Sequence, residues 1–264
     1  MKVHLVTIDP QNDFCDPNGA LYVAGANEDM NRLANLIDRI GHKLNDIHVT
    51  MDSHRTIDIA HPVFWKDSHG NHPNPFTLIS KDDVESGKWT PTNPGYYNIA
   101  LNYVTKLEEN NRYVLCIWPE HCIIGSWGHA IFPVVSDALR NWERDNFGVV
   151  DYVTKGSNVF TEHYSAVQAD VPDPSDPTTT LNTRLLDILS NADIVAITGE
   201  ALSHCVANTV NDIMENFGEE NIKKLVLLTD TCSNVTGFDS LGEDFVREAV
   251  ARGMQTSTST EFLK

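Results

Sequence analysis

Apolar runs of strand length recur along this chain, and each stops at or just before a chemically capable residue. Residues 3–8 lead to Asp9, residues 47–51 to Asp52 with His54 close behind, residues 149–154 to Lys155, and residues 194–198 to the segment Gly199-Glu200-Ala201-Leu202-Ser203-His204-Cys205. A fifth run, residues 113–118, ends just ahead of His121. Between the runs lie helical patterns, such as Met30, Leu33, Ile37, Ile40 and Leu44 at spacings of three and four. Strands alternating with helices predict a mainly parallel sheet covered on both faces and joined by right-handed crossovers. Parallel strands align their carboxyl ends along one edge, where ligands bind in open α/β folds. Asp9, Asp52, His54, His121, Lys155 and Cys205 are therefore expected to meet.

The full reading is a three-layer α/β/α fold with a six-stranded, mainly parallel sheet. Helices are predicted from about residue 28, with Asn27 as N-cap, and at 126–142, 181–189, 203–216 and 241–251. Later strands are predicted at 224–228 and 254–257. Two segments interrupt the alternation. Residues 62–92, rich in Pro, Asn, His, Asp and Gly but carrying Phe64, Trp65, Phe76 and Trp89, read as a long ordered loop. Residues 169–177, with Pro172, Pro174 and Pro177, read as an exposed connector. With 264 residues and 41% hydrophobic content, one domain over 1–264 is expected, extended by an insertion at about 62–112.

A formal net charge of -18 argues against nucleic acid or anionic membrane as partners, because the long-range field repels polyanions. No apolar stretch approaches spanning length, and residues 1–8 are too short for a signal peptide, so a soluble cytoplasmic protein is expected. Cysteines at 15, 116, 122, 205 and 232 are odd in number and irregular in spacing, which suits reduced thiols.

Cys205 carries the strongest local signal. A strand ends at Gly199, a tight turn follows, and Ser203 can cap a helix whose first turn holds the thiol. The positive end of a helix dipole favours thiolate, and backbone N–H groups there can hold an oxyanion. A buried structural cysteine is the commoner fate, and it is the reading for Cys116, Cys122 and Cys232. The second signal is Asp52-Ser53-His54 with His61 and, further on, His121. One carboxylate and two imidazoles, with other positions left to water or substrate, make an open divalent-metal site. Each histidine alone signals little, since the chain has 11, but their place at strand ends beside the thiol strengthens the case.

Together these residues resemble the isochorismatase-like cysteine hydrolases, and within them the nicotinamidases. The resemblance runs through Ile8-Asp9-Pro10-Gln11-Asn12-Asp13-Phe14, Asp52-x-His54, Trp118-Pro119-Glu120-His121-Cys122, Lys155-Gly156 and Gly199-Glu200-Ala201-Leu202-Ser203-His204-Cys205-Val206. It implies the isochorismatase-like fold, a catalytic Asp9, Lys155 and Cys205, and a divalent ion (Zn, with Mn or Fe as alternatives) on Asp52, His54 and His121, with His61 as a fourth candidate. It implies an oxyanion hole from the Ala201 and Cys205 N–H groups, with a cis peptide between Glu200 and Ala201, and an aromatic wall of Phe14, Trp118 and Tyr164. The chemistry implied is hydrolysis of the linear amide nicotinamide through a cysteine thioester, within pyridine nucleotide salvage. The partner is then a small amide, with a homo-oligomer left open. The chain departs from the family in its long stretch between His61 and His121 and in Glu200, where the family usually has an aliphatic residue. Two other readings stay open: a cysteine hydrolase of another small amide or ureide, and a non-catalytic binding homologue.

Overall fold

The first strand, β1 (Val3–Ile8), is buried at every position and lies inside the sheet. On one side it pairs in parallel with β2 (Asp46–Asp52), and β2 pairs with β7 (Asp151–Lys155). On the other side it pairs with β8 (Ile194–Gly199), followed by β9 (Leu225–Leu228) and β10 (Gln255–Ser257). The order is thus β10-β9-β8-β1-β2-β7, six strands all in one direction. A computed structural model describes residues 1–109 and 113–264 of the chain. Among the described residues, no helix is long and apolar enough to cross a membrane.

Two helix layers cover the sheet. Helix α2 (Ala26–Ile40) packs on α5 (Pro133–Asn146), while α6 (Thr183–Ser190), α7 (Ala207–Phe217) and α8 (Asp239–Ala251) pack in succession. The predicted α2 stripe is confirmed, since Met30, Leu33, Ile37 and Ile40 are all buried. Its cap is Gly25, in the left-handed region, and Asn27 instead accepts a hydrogen bond from the Tyr22 hydroxyl. Helix α5 begins at Pro133, later than predicted, because Pro at the first turn starts a helix, residues 126–130 form turns and bends, and Ile131 bridges to Gln11.

The largest correction concerns residues 113–118. Only Leu115–Cys116 form a strand, β6, and it pairs antiparallel with β4 (Leu78–Ile79) outside the main sheet. The edge beside β2 belongs to β7, so the sixth strand is β10. Segment 62–92 is also more ordered than a loop: β3 (Trp65–Lys66) pairs with β5 (Thr90–Pro91), α3 (Lys81–Glu85) carries a capping box from Ser80, and α4 (Tyr97–Glu109) follows. Connector 169–177 is anchored at its start, where Ala169, Asp170 and Val171 are buried.

Register places the functional edge. Ile8 sits opposite Gly199, and Asp52 opposite Lys155, so Asp9 and the turn after β8 leave the sheet beside one another, as do Asp52 and Lys155. Gly199 has φ +116, and a Cβ there would lie 2.0 Å from the Ile8 carbonyl oxygen. Gly70 has φ +86 but open space around it. Gly199→Ala should lower stability by about 2–4 kcal/mol and Tm by roughly 5–15 °C, because strain and a backbone clash add. Gly70→Ala should cost markedly less, and equal losses by calorimetry would show that the close approach of β1 and β8 does not matter.

Candidate functional site

Asp9 follows β1 with φ 45, and Thr50 of β2 holds it at both ends: the Asp9 N–H donates to Thr50 Oγ1 at 3.0 Å, and that hydroxyl donates to Asp9 Oδ1 at 2.5 Å. The remaining oxygen, Oδ2, lies 2.9 Å from Lys155 Nζ. Lys155, buried at the end of β7, also reaches Asp52 Oδ1 at 3.1 Å and Cys205 Sγ at 3.6 Å. One ammonium thus touches both strand-end carboxylates and the thiol. Oxygens of Asp9 and Asp52 and the Cys205 sulfur lie within 4.8 Å of one another.

Burial and charge set the resting protonation. Burial pushes Asp9 up, Lys155 and Thr50 pull it down, Asp52 pushes it back, and it ends above the ordinary carboxylate range. For Asp52, burial is outweighed by His54 and Lys155, and its carboxyl is held well below that range. Burial disfavours the Lys155 ammonium, but Asp52, Asp9 and Cys205 more than restore it and raise it well above the usual lysine value. Burial raises the Cys205 thiol well above its ordinary value; Lys155 opposes this, while Asp9 and Asp52 add to it. Burial and the two carboxylates thus oppose the pull toward thiolate that a helix N-terminus exerts. Residues 202–206 form a π turn that runs directly into α7, so Cys205 sits in the first turn of a helix as expected, but Ser203 makes no capping hydrogen bond to it and two carboxylates face the sulfur. The buried Cys205 sulfur has the Asp9 carboxyl group and the Lys155 ammonium beside it.

Asp52 belongs to a second cluster. Oxygen and nitrogen atoms of Asp52, His54 and His121 lie within 4.8 Å of one another. His54 Nδ1 is bonded to Asp58 Oδ2 at 3.0 Å, and His121 Nδ1 to the Pro119 carbonyl at 2.8 Å. Both oxygens require an N–H on Nδ1, which leaves the lone pair on each Nε2. Those nitrogens lie 3.1 Å and 3.5 Å from Asp52 Oδ2, and His54 Nε2 has no hydrogen-bond partner. Two lone pairs and a carboxylate converging in a buried space call for a cation between them. Burial lowers His54, but Asp52 and Asp58 raise it well above the ordinary imidazole value, the same demand met by a proton. The residues fit a divalent ion, with Asp58 and the Pro119 carbonyl orienting its ligands.

His61 lies alongside, its ring 5.2 Å from His54 and 5.5 Å from His121, but it is not part of the convergent set. Its Nδ1 faces the Thr56 carbonyl at 3.4 Å, and burial lowers it to about 4.

His121 reaches the site although its segment lies outside the main sheet. The His54 N–H donates to the Cys122 carbonyl at 3.1 Å and the Ile124 N–H to the His54 carbonyl at 3.0 Å, a bridge that lays the segment beside residue 54. Gln11 holds Asp52 from below, giving Nε2 to the Asp52 carbonyl and accepting the Asp52 N–H, each at 2.7 Å. Asp13 accepts the Cys122 N–H at 2.6 Å. Gly156, at φ +81, leaves room that a Cβ would take from Asp52 Oδ1 at 2.8 Å.

A narrow cavity joins the two clusters, with Phe14, Asp52, Trp118, His121, Tyr164 and Cys205 among its walls. All three expected aromatic residues line it. Trp118 Nε1 donates to the Tyr164 hydroxyl at 2.7 Å, and Phe14 lies edge-on to His121 at 5.4 Å. Ala201 lines it too, the Glu200–Ala201 peptide is cis, and the Ala201 N–H donates to no acceptor among the described residues. Sequence reasoning missed Glu162 and His204, which share the cavity. Burial, with Asp58 and Asp52, raises Glu162 to about 8 against the pull of His54. Burial lowers His204 to about 4, so its ring is neutral between Trp118 and Phe238. No spacing signalled either one.

No family model matches the chain. A nicotinamidase of Saccharomyces cerevisiae is 26% identical to it over 205 residues, 78% of each protein. A solved structure of the yeast nicotinamidase superposes with a TM-score of 0.67 at 21% identity, covering 97% of this chain and 99% of that one. A pyrazinamidase of Pyrococcus horikoshii in complex with zinc gives 0.56 at 19% identity, covering 98% and 99%. The fold is the isochorismatase-like one these proteins share.

Incubation with zinc should load one ion per chain, and His54→Ala should lose it. Asp58→Ala should weaken binding by about 10–100-fold in chelator competition, because the ligand loses its orienting carboxylate. Full occupancy in His54→Ala by elemental analysis would eliminate this site.

Proposed function

We propose that the chain is a nicotinamidase-type amidohydrolase, converting nicotinamide to nicotinate and ammonia through a thioester on Cys205. The observation that carries this reading is the sharing of Asp52: it belongs to the Lys155 ion-pair cluster beside Cys205 and to the Asp/His/His donor set, in one aromatic-walled cavity. The similarity to a yeast nicotinamidase over most of both chains supports it. In this reading residues 1–264 act as one catalytic unit, the 62–112 insertion included, in the cytoplasm, where free buried cysteines stay reduced.

Asp9 takes the Cys205 proton as the sulfur attacks the carboxamide carbon, and the new C–S bond leaves an oxyanion that the Ala201 and Cys205 N–H groups receive. Lys155 stays charged throughout, offsetting the negative charge passed between thiol and carboxylate. Protonated Asp9 then gives its proton to the amide nitrogen, the C–N bond breaks, and ammonia leaves. Water attacks the thioester as Asp9 accepts its proton. The C–S bond breaks, nicotinate forms, and the sulfur regains its proton. Phe14, Trp118 and Tyr164 hold the flat ring. When bound at Asp52, His54 and His121, a divalent ion, zinc in our reading, supplies a Lewis acid for the pyridine nitrogen or for water.

Ammonia release from nicotinamide should greatly exceed that from benzamide, which lacks the ring nitrogen, and Cys205→Ala should abolish it while preserving the circular dichroism spectrum. Equal specificity constants on the two amides would move the assignment to a general small-amide or ureide hydrolase. Activity retained in Cys205→Ala would remove the nucleophile.

A further inference from the structure

Glu200 is a fully buried carboxyl group that the reaction above does not use. It does not line the substrate cavity: its side chain points to the loop after β9, where Oε2 accepts the Ser233 N–H at 3.0 Å. The Leu202 N–H donates to the Ser233 carbonyl at 2.8 Å. The residues before and after Ala201 are thus tied to one residue, the first through a side chain and the second through the backbone. Two further bonds complete the frame. The Glu200 N–H donates to the Ile8 carbonyl at 2.8 Å, and the Val235 N–H to Ser203 Oγ at 3.1 Å. Val235 itself walls the cavity.

We propose that Glu200 is a positioning residue for the oxyanion hole: by taking the Ser233 N–H it fixes the loop against which the Ala201 peptide is held, and so sets where the Ala201 N–H meets the developing oxyanion. The inference rests on the hydrolase reading above and deepens it.

The charges around Glu200 suit such a clamp. Ser233 Oγ donates to Asp29 Oδ2 at 2.5 Å, and Asp29 Oδ1 pairs with Arg32 Nη2 at 2.5 Å. Burial first, then the neighbouring Asp29, push the Glu200 carboxyl well above its ordinary range. In either protonation state Oε2 keeps a lone pair for the Ser233 N–H. An aliphatic residue could fill the same volume but would leave the Ser233 N–H without its acceptor.

The experiment compares Glu200→Gln, which keeps an acceptor, with Glu200→Leu, which removes it. For Glu200→Leu we expect kcat on nicotinamide, and affinity for nicotinaldehyde, whose carbonyl carbon bonds the Cys205 sulfur to leave an oxygen in the same hole, to fall about 10–100-fold with KM unchanged. Alkylation of Cys205 by iodoacetamide, in which the C–S bond forms as iodide leaves and no oxyanion develops, should keep its rate. Glu200→Gln should restore the first two. Wild-type kcat and aldehyde affinity in a folded Glu200→Leu protein would overturn the role, as would a parallel loss of alkylation rate, which places the effect on the nucleophile. Hydrogen exchange at Ser233 should accelerate in Glu200→Leu but not in Glu200→Gln. This measurement needs no substrate, so it still decides the clamp if nicotinamide is not hydrolysed; exchange unchanged in Glu200→Leu refutes it. Should Glu200→Leu fail to fold, the Glu200→Gln kinetics decide, and a Glu200→Gln protein that loses kcat refutes the acceptor role.

Discussion

Everything at this sheet edge is organised around one buried ammonium. Lys155 lies 2.9 Å from Asp9, 3.1 Å from Asp52 and 3.6 Å from Cys205, and burying two carboxylates this close would be prohibitive without it. Its position follows from strand register, since Lys155 pairs with Asp52 across β2 and β7. Asp9 follows Ile8 on the neighbouring strand. The parallel sheet thus brings together groups more than a hundred residues apart, and the charge balance among them makes the arrangement tolerable.

Asp52 connects this cluster to the next. One carboxylate oxygen faces Lys155 and the other faces two histidines whose tautomers are dictated from behind, by Asp58 and by the Pro119 carbonyl. The side-chain amide of Gln11 and the Asp13 carboxylate hold these backbones in place. The run from Asp9 to Phe14 therefore supplies a carboxyl group beside Cys205, a brace and one wall of the cavity.

The insertion contributes at the rim. Its strand β4 captures β6, the Phe76 N–H donates to the Ile117 carbonyl, and the exposed Phe76 ring lies edge-on to Trp118 at 5.7 Å. The Trp118 N–H donates to the Ala60 carbonyl at 2.8 Å, which ties the segment carrying His121 to the opposite flank of the insertion. A groove of about 590 Å³ on this side shares Trp118, Tyr164 and His204 with the cavity.

The sequence by itself determined the parallel sheet, the convergence of Asp9, Asp52, Lys155 and Cys205, and the pairing of a thiol with an Asp/His/His set, because apolar runs that end in reactive residues carry that information locally. It misassigned residues 113–118 to the main sheet: an apolar run predicts a strand but says nothing about which partner wins the pairing. Tertiary structure alone decided that Cys205 is buried beside two carboxylates and Lys155, that Glu162 and His204 enter the cavity, and that Glu200 turns away from the pocket toward Ser233. Each of these depends on burial and on the direction of a side chain relative to groups distant in sequence. Protonation, ligand geometry and side-chain reach arise from such through-space neighbours, which no local spacing encodes.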